Sequence, residues 1–168
     1  LAADRLGLAD ADMLASRGYQ PLLEAYGAAI ATHTTLYPGA AAALHRLRDA
    51  GMAVGICTNK PEALAVKLID RLGISALFDG LVGADTLPVR KPDPAPYVEV
   101  VARAGGDVAR ALLVGDTETD RKTAAAAGVP SVLVTFGPDG HGVTRLSPEA
   151  LLHHYDDLDR VVAQVLQA

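Results

Sequence analysis

The sequence predicts an α/β protein with a parallel sheet covered by helices on both faces. Short apolar runs of strand length alternate with helical patterns at intervals of roughly 20 to 30 residues, the spacing of right-handed βαβ units. Half of the residues are hydrophobic and only 4% are aromatic, so Ala, Leu and Val must build most of the core. A length of 168 residues is sufficient for one domain with a sizeable core.

The predicted elements follow in order from Pro38-Gly39, which breaks an earlier helical pattern. The first core helix ends at Gly51, and later helices end at Gly73 and Gly128, because glycine readily adopts the left-handed conformation that stops a helix. The predicted helices cover residues 40–50, 61–73, 95–104, 119–127 and 158–166, and the predicted strands cover 52–57, 81–83, 111–114 and 131–135. Residues 136–148 are rich in Gly and Pro and are predicted to form an irregular loop.

Composition argues against several classes of protein. Lys plus Arg is 15 and Asp plus Glu is 20, and 15 − 20 = −5, so a broad nucleic-acid interface is not expected. No apolar run reaches the ~18 residues of a membrane span. The lone cysteine, Cys57, is interpreted as a buried thiol in a reducing compartment. We therefore expect a soluble cytoplasmic protein that binds neither nucleic acid nor membrane, either monomeric or homodimeric.

Polar side chains follow three of the predicted strands. Thr58 and Asn59 come after the first strand, Lys91 lies in the turn after the second, and Asp116 and Asp120 follow the third. Ligands of parallel sheets bind outside the carboxyl ends of the strands, so these side chains are expected to share one edge. Thr58, Asn59 and Lys91 are the candidates for contacting the substrate there.

This combination of residue types suits a phosphate group beside a divalent cation. A phosphate monoester dianion repels nucleophiles, so a catalyst surrounds its oxygens with donors and cations. Thr58 can donate its hydroxyl, Lys91 supplies a positive charge, and the helix beginning at Pro61 offers its positive dipole end. Asp116 can hold Mg²⁺ through oxygen, and Asp120 can orient a metal-bound water or pair with Lys91.

Each candidate also has a structural interpretation. Thr58 and Asn59 can form a turn before a helix, Lys91 can be a solvated loop charge, and the Asp116–Asp120 stretch can be a plain strand exit. Asp85 is predicted to be structural. The five histidines lack the spacing of metal ligands and are interpreted as surface or loop residues. Only the joint placement on one edge favours a functional site.

Three ordered motifs resemble the haloacid dehalogenase superfamily of phosphatases, and within it the bacterial phosphoglycolate phosphatases. Residues 57–62 read Cys-Thr-Asn-Lys-Pro-Glu, residues 87–96 read Leu-Pro-Val-Arg-Lys-Pro-Asp-Pro-Ala-Pro, and residues 114–120 read Val-Gly-Asp-Thr-Glu-Thr-Asp. The stretch Thr-Phe-Gly at 135–137, followed by His-Gly at 141–142, is also similar. The resemblance covers nearly all of the chain from Tyr37 onward.

The resemblance implies a fold, a reaction and residue roles. Residues 1–35 would be the C-terminal part of a helical cap, and residues 36–168 a Rossmannoid core. Thr58 would hydrogen-bond the transferring phosphoryl group, Lys91 would neutralise it, and Asp116 would ligate Mg²⁺ with support from Asp120. The expected reaction is hydrolysis of a small phosphomonoester, 2-phosphoglycolate, to glycolate and phosphate through an aspartyl-phosphate.

One expected motif is absent. Family members carry an earlier strand ending in Asp-x-Asp-Gly-Thr, whose first Asp is the nucleophile, and this sequence does not contain it. That strand lies in the middle of the family's sheet, so its two neighbours would be left with unpaired backbone groups, each costing roughly 1 to 3 kcal/mol if buried. We therefore expect the 168 residues alone to be inactive and poorly stable, and the natural protein to be longer or completed by another chain.

Other functions remain open at this stage. A pyrophosphatase, a sugar-phosphate phosphatase or a phosphomutase of the same superfamily would carry the same core motifs. A phospho-acceptor signalling module also uses carboxylates, a Thr and a Lys on one edge, but its carboxylates precede the Thr and Lys in sequence, the reverse of the order here. A non-catalytic binding or structural module is the remaining alternative.

Overall fold

The computed structural model describes residues 34–167. The segment predicted to be part of a cap, residues 1–35, therefore lies outside the described residues except for its last two positions. In the described part of the chain, no helix has both the length and the apolar character needed to cross a bilayer.

Helices and strands alternate along the described part of the chain, which confirms the predicted α/β class. Four short 3₁₀ turns connect some of these elements, and the longest of them, Gly140–Leu146, lies within the loop predicted for residues 136–148. The elements are α1 (Ala40–Asp49), β1 (Gly55–Cys57), α2 (Glu62–Arg71), β2 (Gly80–Val82), α3 (Ala95–Arg103), β3 (Leu113–Gly115), α4 (Glu118–Ala127), β4 (Ser131–Val134), β5 (Ala150–Leu152) and α5 (Leu158–Leu166).

All strand pairs are parallel, as predicted, but the strands form two sheets. One sheet pairs β1 with β2, and the other has the order β3-β4-β5. The strand β5 was not predicted from the sequence. Its three residues, Ala150–Leu152, form a strand because their backbone pairs with β4, about eighteen positions earlier in the chain. The paired residues are Val132↔Ala150, Leu133↔Leu151 and Val134↔Leu152.

Two apolar clusters form the core around these sheets. The first joins β4 and β5 to α1 and α5. The second joins α3, α4 and β3 and includes Tyr97, Leu113, Ala124 and Val129, with Cys57 of β1 packed against it. Every residue of β4 is buried, as expected for a strand with neighbours on both sides and helices on both faces.

The described core therefore consists of two halves. Strands β1 and β2 pack against α3, whereas β3, β4 and β5 pack against α1, α4 and α5. No backbone ladder among the described strands joins β1 to β3. The halves are connected by contacts between α3 and α4, by the second apolar cluster and by polar contacts at the carboxyl ends of the strands. An ion pair between Arg48 of α1 and Asp79, just before β2, also joins them.

Candidate active site

A cavity of about 390 Å³ opens at the carboxyl ends of β1 and β3. Its volume lies within the range of small-molecule sites. The cavity brings together four of the five predicted site residues, although Thr58 is not among the residues that line it. The lining residues are Cys57, Asn59, Lys91, Val114, Gly115, Asp116, Thr117, Thr119 and Asp120.

Thr58 continues the backbone of β1 into the turn beside the cavity. Its backbone N–H donates to the carbonyl of Val82 at 3.0 Å, and its hydroxyl oxygen accepts the N–H of Lys60 at 3.1 Å. The hydroxyl proton of an accepting threonine can still be donated to another group. Thr58 thus has a structural role in the turn and keeps a donor at the strand end.

Asn59 connects two loops of the site. Its side-chain amide donates to the backbone carbonyl of Lys91 at 2.9 Å, which ties the loop after β1 to the loop between β2 and α3. The side chain itself is exposed and lines the cavity. Through this contact Asn59 holds the loop that carries Lys91. The substrate contact predicted for Asn59 from the sequence stays a prediction.

Lys91 and Asp120 form a close ion pair across the site. The Nζ of Lys91 lies 2.6 Å from an oxygen of Asp120, and the two side chains are only 12% and 7% exposed. Lys91 precedes α3 and Asp120 lies in α4, so the pair joins the two halves of the core. A charge pair this shielded from solvent interacts far more strongly than one on the surface.

The second oxygen of Asp120 organises the turn that carries Asp116. It accepts the backbone N–H groups of Asp116 at 3.2 Å and Thr117 at 3.1 Å, and the Thr117 hydroxyl at 2.7 Å. Thr117 in turn accepts the backbone N–H of Asp120, which completes a capping box at the start of α4. A side chain at Gly115 would overlap Asp120, so only glycine allows this approach.

The two carboxylates of the cavity differ in their acidity. Burial disfavours the charged form of Asp120, but the Lys91 ammonium and the hydrogen bond from Thr117 hold its pKa below the ordinary value. Burial and the neighbouring Asp120 charge raise the pKa of Asp116. Asp120 is thus the carboxylate that pairs with Lys91, whereas Asp116 lies outside that ion pair.

Asp116 is bordered on its other side by residues that the sequence analysis did not identify as part of a site. A Cβ at Gly137 would lie 2.8 Å from the Cβ of Asp116, so the loop after β4 packs directly on this residue. Burial raises the pKa of Tyr155, and the charge of Asp116 raises it further. The Tyr155 ring packs against Phe136. In the sequence, only the similarity of the Thr-Phe-Gly stretch at 135–137 to the family indicated that this loop belongs to the site.

Asp85 has the structural role that the sequence predicted. This role shows that the expected phosphate contact at the start of α2 was wrong. Its carboxylate accepts the N–H of Glu62 at 2.7 Å and so caps the N-terminus of α2 from the loop after β2. The sequence predicted that the start of this helix would offer its N–H groups to a phosphate. The N–H of Glu62 is instead occupied by a carboxylate, which also offsets the positive end of the helix dipole.

The residues of the cavity fit a magnesium ion held mainly by one protein carboxylate. No group of three or more His, Cys, Asp or Glu side chains within residues 34–167 is arranged as a metal cage. Mg²⁺ commonly binds through one or two carboxylates and otherwise uses waters and substrate phosphate oxygens. Asp116 takes no part in the Lys91–Asp120 ion pair, so its carboxylate suits this role.

Comparison with known proteins shows the family of the chain. A family model described as haloacid dehalogenase-like hydrolase matches residues 4–128. The chain belongs to this family. The match confirms the family resemblance of the three sequence motifs, and it covers Thr58, Lys91, Asp116 and Asp120.

Several relatives of this haloacid dehalogenase-like chain carry the name phosphoglycolate phosphatase. The protein of Mesorhizobium japonicum is 45% identical over 130 residues, which are 77% of this chain and 57% of that protein. A Cereibacter sphaeroides protein is 41% identical over 141 residues, which are 84% of this chain and 64% of that protein. The chain therefore spans less than two thirds of the length of these relatives.

Solved structures share the fold of the haloacid dehalogenase-like chain. A crystal structure described as a predicted phosphoglycolate phosphatase from Haemophilus somnus superposes with a TM-score of 0.74 at 28% identity, over 81% of this chain and 61% of that one. A structure from Lactobacillus delbrueckii subsp. bulgaricus reaches a TM-score of 0.81 at 20% identity, over 95% of this chain and 65% of that one. Because its identity is only 20%, the Lactobacillus delbrueckii structure shows a shared fold and nothing more.

Proposed function

We propose that this chain supplies most of the active site of an Mg²⁺-dependent phosphatase that hydrolyses 2-phosphoglycolate to glycolate and phosphate. The observation that carries the proposal is the shared cavity of Lys91, Asp116 and Asp120 at the carboxyl ends of parallel strands. The names of the relatives at 41% and 45% identity support the substrate. Residues 1–35 are proposed to belong to a cap and residues 36–168 to the core.

The charges of the cavity support the requirement for a divalent cation. Lys91 contributes one positive charge and Asp116 and Asp120 two negative charges, so these three side chains sum to −1 when ionised. A phosphate dianion entering such a site is repelled unless a further cation is present. Bound at Asp116, Mg²⁺ would supply that charge and polarise the phosphoryl oxygens.

The residues of this chain would then act on the phosphoryl group in distinct ways. Lys91 neutralises charge on its oxygens, Thr58 donates a hydroxyl hydrogen bond, and Asn59 holds the Lys91 loop in place. Asp120 keeps Lys91 and the Asp116 turn in position rather than touching the reacting atoms. The nucleophile is proposed to be an Asp outside these 168 residues, which forms an aspartyl-phosphate that water hydrolyses.

A turnover assay tests this proposal. The complete protein encoded around this sequence is expected to release phosphate from 2-phosphoglycolate in the presence of Mg²⁺, to lose that activity with a chelator, and to prefer 2-phosphoglycolate over pyrophosphate and sugar phosphates. The 168-residue chain alone is expected to show no turnover under the same conditions. Robust turnover by the chain alone would locate the nucleophile within it.

A further inference from the structure

The proposed substrate carries two anionic groups at opposite ends of a short molecule. In 2-phosphoglycolate, one methylene group and one ester oxygen separate the carboxylate from the phosphate. Lys91 is the one basic side chain among the described residues that line the cavity, and in the proposed reaction its charge acts on the phosphate. A carboxylate taken out of water also needs a partner, and Lys and Arg are the usual ones. A second basic side chain is therefore expected beside the phosphate site.

Four Lys or Arg side chains lie in the described loops at the carboxyl ends of the strands. They are Lys60, Arg90, Lys91 and Arg145. The side chain of Arg145 is 58% exposed, and Arg90 is exposed as well, so both project from the surface of the core. Lys60 is partly buried, and it follows Asn59, which lines the cavity. Burial and position therefore favour Lys60 as the second basic side chain of the site.

The backbone of Lys60 is fixed to the residue that is proposed to contact the phosphoryl group. The N–H of Lys60 donates to the hydroxyl oxygen of Thr58 at 3.1 Å. The carbonyl of Lys60 accepts the N–H of Ala84 at 2.9 Å, which joins this turn to the loop after β2. Both backbone groups of Lys60 are thus occupied, so the fold sets the position of its Cα relative to Thr58.

Asn59 connects Lys60 to Lys91. Lys60 is its neighbour in the chain, and the Asn59 side-chain amide donates to the carbonyl of Lys91 at 2.9 Å. Lys60 lies outside the lining of the cavity itself, but a lysine side chain is a flexible four-carbon stem that can bring its ammonium to a ligand nearby. Two lysines joined through one asparagine suit a small ligand with an anionic group at each end.

We infer that Lys60 binds the carboxylate of the substrate and so determines a preference for phosphate esters of small carboxylic acids. The inference rests on the proposed function. Lys91 acts on the phosphoryl group, which every substrate of the site contains, whereas Lys60 acts on a group that only some substrates contain. The two lysines are therefore distinguished by how their loss affects substrates with and without a carboxylate.

Two substrates compared in the complete protein test the inference. Ethyl phosphate is 2-phosphoglycolate with a methyl group in place of the carboxylate. Lys60→Met, which keeps an unbranched stem without the charge, should lower kcat/KM about ten- to hundredfold more for 2-phosphoglycolate than for ethyl phosphate, the effect of one hydrogen bond to a charged group. The loss should appear mainly in KM, because the carboxylate takes no part in the reaction. Lys60→Arg, which keeps the charge, should recover most of the preference.

Arg90→Met is the matched control, because Arg90 is an exposed basic side chain next to Lys91. This variant should keep the preference for 2-phosphoglycolate. Calorimetry with 3-phosphonopropionate, a non-hydrolysable analogue that keeps both anionic groups, gives a second readout without turnover. Lys60→Met should weaken binding of 3-phosphonopropionate by a similar factor, and binding of propylphosphonate, which lacks the carboxylate, should change much less.

The other outcomes contradict the inference or separate it from the proposed function. An equal loss with both substrates would overturn it, because Lys60 would then act only through the turn that holds Thr58. No loss in Lys60→Met, or loss of the preference in Arg90→Met, would also overturn it, since the carboxylate would be bound elsewhere. If the parent protein does not hydrolyse 2-phosphoglycolate, the proposed function fails, but a selective loss of 3-phosphonopropionate binding in Lys60→Met would still support the carboxylate site.

Discussion

Lys91 carries the positive charge on which the charge balance of the cavity depends. At an effective dielectric near 20, a charge ~4 Å from an oxyanion interacts by about 4 kcal/mol before desolvation is counted. Lys91→Ala in the complete protein is therefore expected to lower kcat by roughly two to three orders of magnitude, as measured by phosphate release at saturating substrate.

The control for this substitution is Lys122→Ala. Lys122 also pairs with a carboxylate, Glu118, at 2.8 Å, but its side chain is 62% exposed and lies on the surface of α4. Exposed pairs of this kind contribute about 0 to 1 kcal/mol, so the control should retain nearly full activity. Near-normal turnover in Lys91→Ala would exclude Lys91 from the active site.

The Asp116 carboxylate is expected to destabilise the metal-free fold while being required for turnover. Its pKa is raised by burial and by the Asp120 charge. An acid with a folded pKa above its unfolded value of ~3.9 stabilises the fold below that value, and the contribution is lost as the pH rises through the folded pKa. At pH 7 the metal-free protein therefore holds an unfavourable carboxylate at this position.

Asp116→Asn should consequently raise the melting temperature of the metal-free complete protein at pH 7, with a smaller gain at pH 4. The same variant should lose at least a hundredfold in Mg²⁺-dependent turnover, because an amide is a poor ligand for the cation. Thermal melts at both pH values with a chelator present, combined with the phosphatase assay, measure the two effects. A lower melting temperature at pH 7 would show that the Asp116 carboxylate stabilises the turn.

At the scale of elements, α2 depends on a cap that comes from another part of the chain. Pro61 precedes the helix and provides no side-chain hydrogen bond, whereas Asp85 accepts the N–H of Glu62 from the loop after β2. Asp85→Ala in the complete protein is expected to cost about 0.5 to 2 kcal/mol of unfolding free energy. Chemical denaturation measures this loss. Asp107→Ala is the comparison, because the Asp107 carboxylate caps only a single exposed 3₁₀ turn. We expect this variant to lose less unfolding free energy than Asp85→Ala.

The contrast between α5 and β5 shows which elements the sequence predicts. Helix α5 was predicted over 158–166 and has the bounds Leu158–Leu166, because its apolar periodicity is local. Strand β5 is only three residues long, and its pairing with β4 depends on a partner distant in sequence. Local patterns do not contain that information.

The candidate site shows the same division. Residue types and strand ends predicted that Lys91, Asp116 and Asp120 would meet at one edge, and they line one cavity. The bond from Asn59 to the Lys91 carbonyl and the packing of Gly137 on Asp116 depend on loop geometry. The same is true of the bond between Asp85 and Glu62, which turned an expected phosphate contact into a helix cap. Such contacts follow from the tertiary structure rather than from residue type.

At the scale of the whole molecule, the two halves of the described core are coupled by few interactions. The half with β1, β2 and α3 meets the half with β3, β4 and β5 at the second apolar cluster, at the Lys91–Asp120 pair and at the ion pair between Arg48 of α1 and Asp79 before β2. Because no strand ladder crosses between β1 and β3, the first half is expected to open more readily than the buried strand β4. Local opening of this kind is measured by native-state amide exchange.

Removing the ion pair in the complete protein should therefore loosen the half with β1, β2 and α3 selectively. Lys91→Ala leaves Asp120 as a buried, unpaired charge, and losing one partner of a buried pair costs about 3 to 5 kcal/mol. At 1.4 kcal/mol for each tenfold change, exchange of the β1 and β2 amides should accelerate by up to roughly a thousandfold, while Lys122→Ala should change little. The acceleration should be much smaller in Ser131–Val134, whose neighbours on both sides belong to the other half. Equal acceleration in all five strands would mean that the chain opens as one cooperative unit and that the two halves do not open independently.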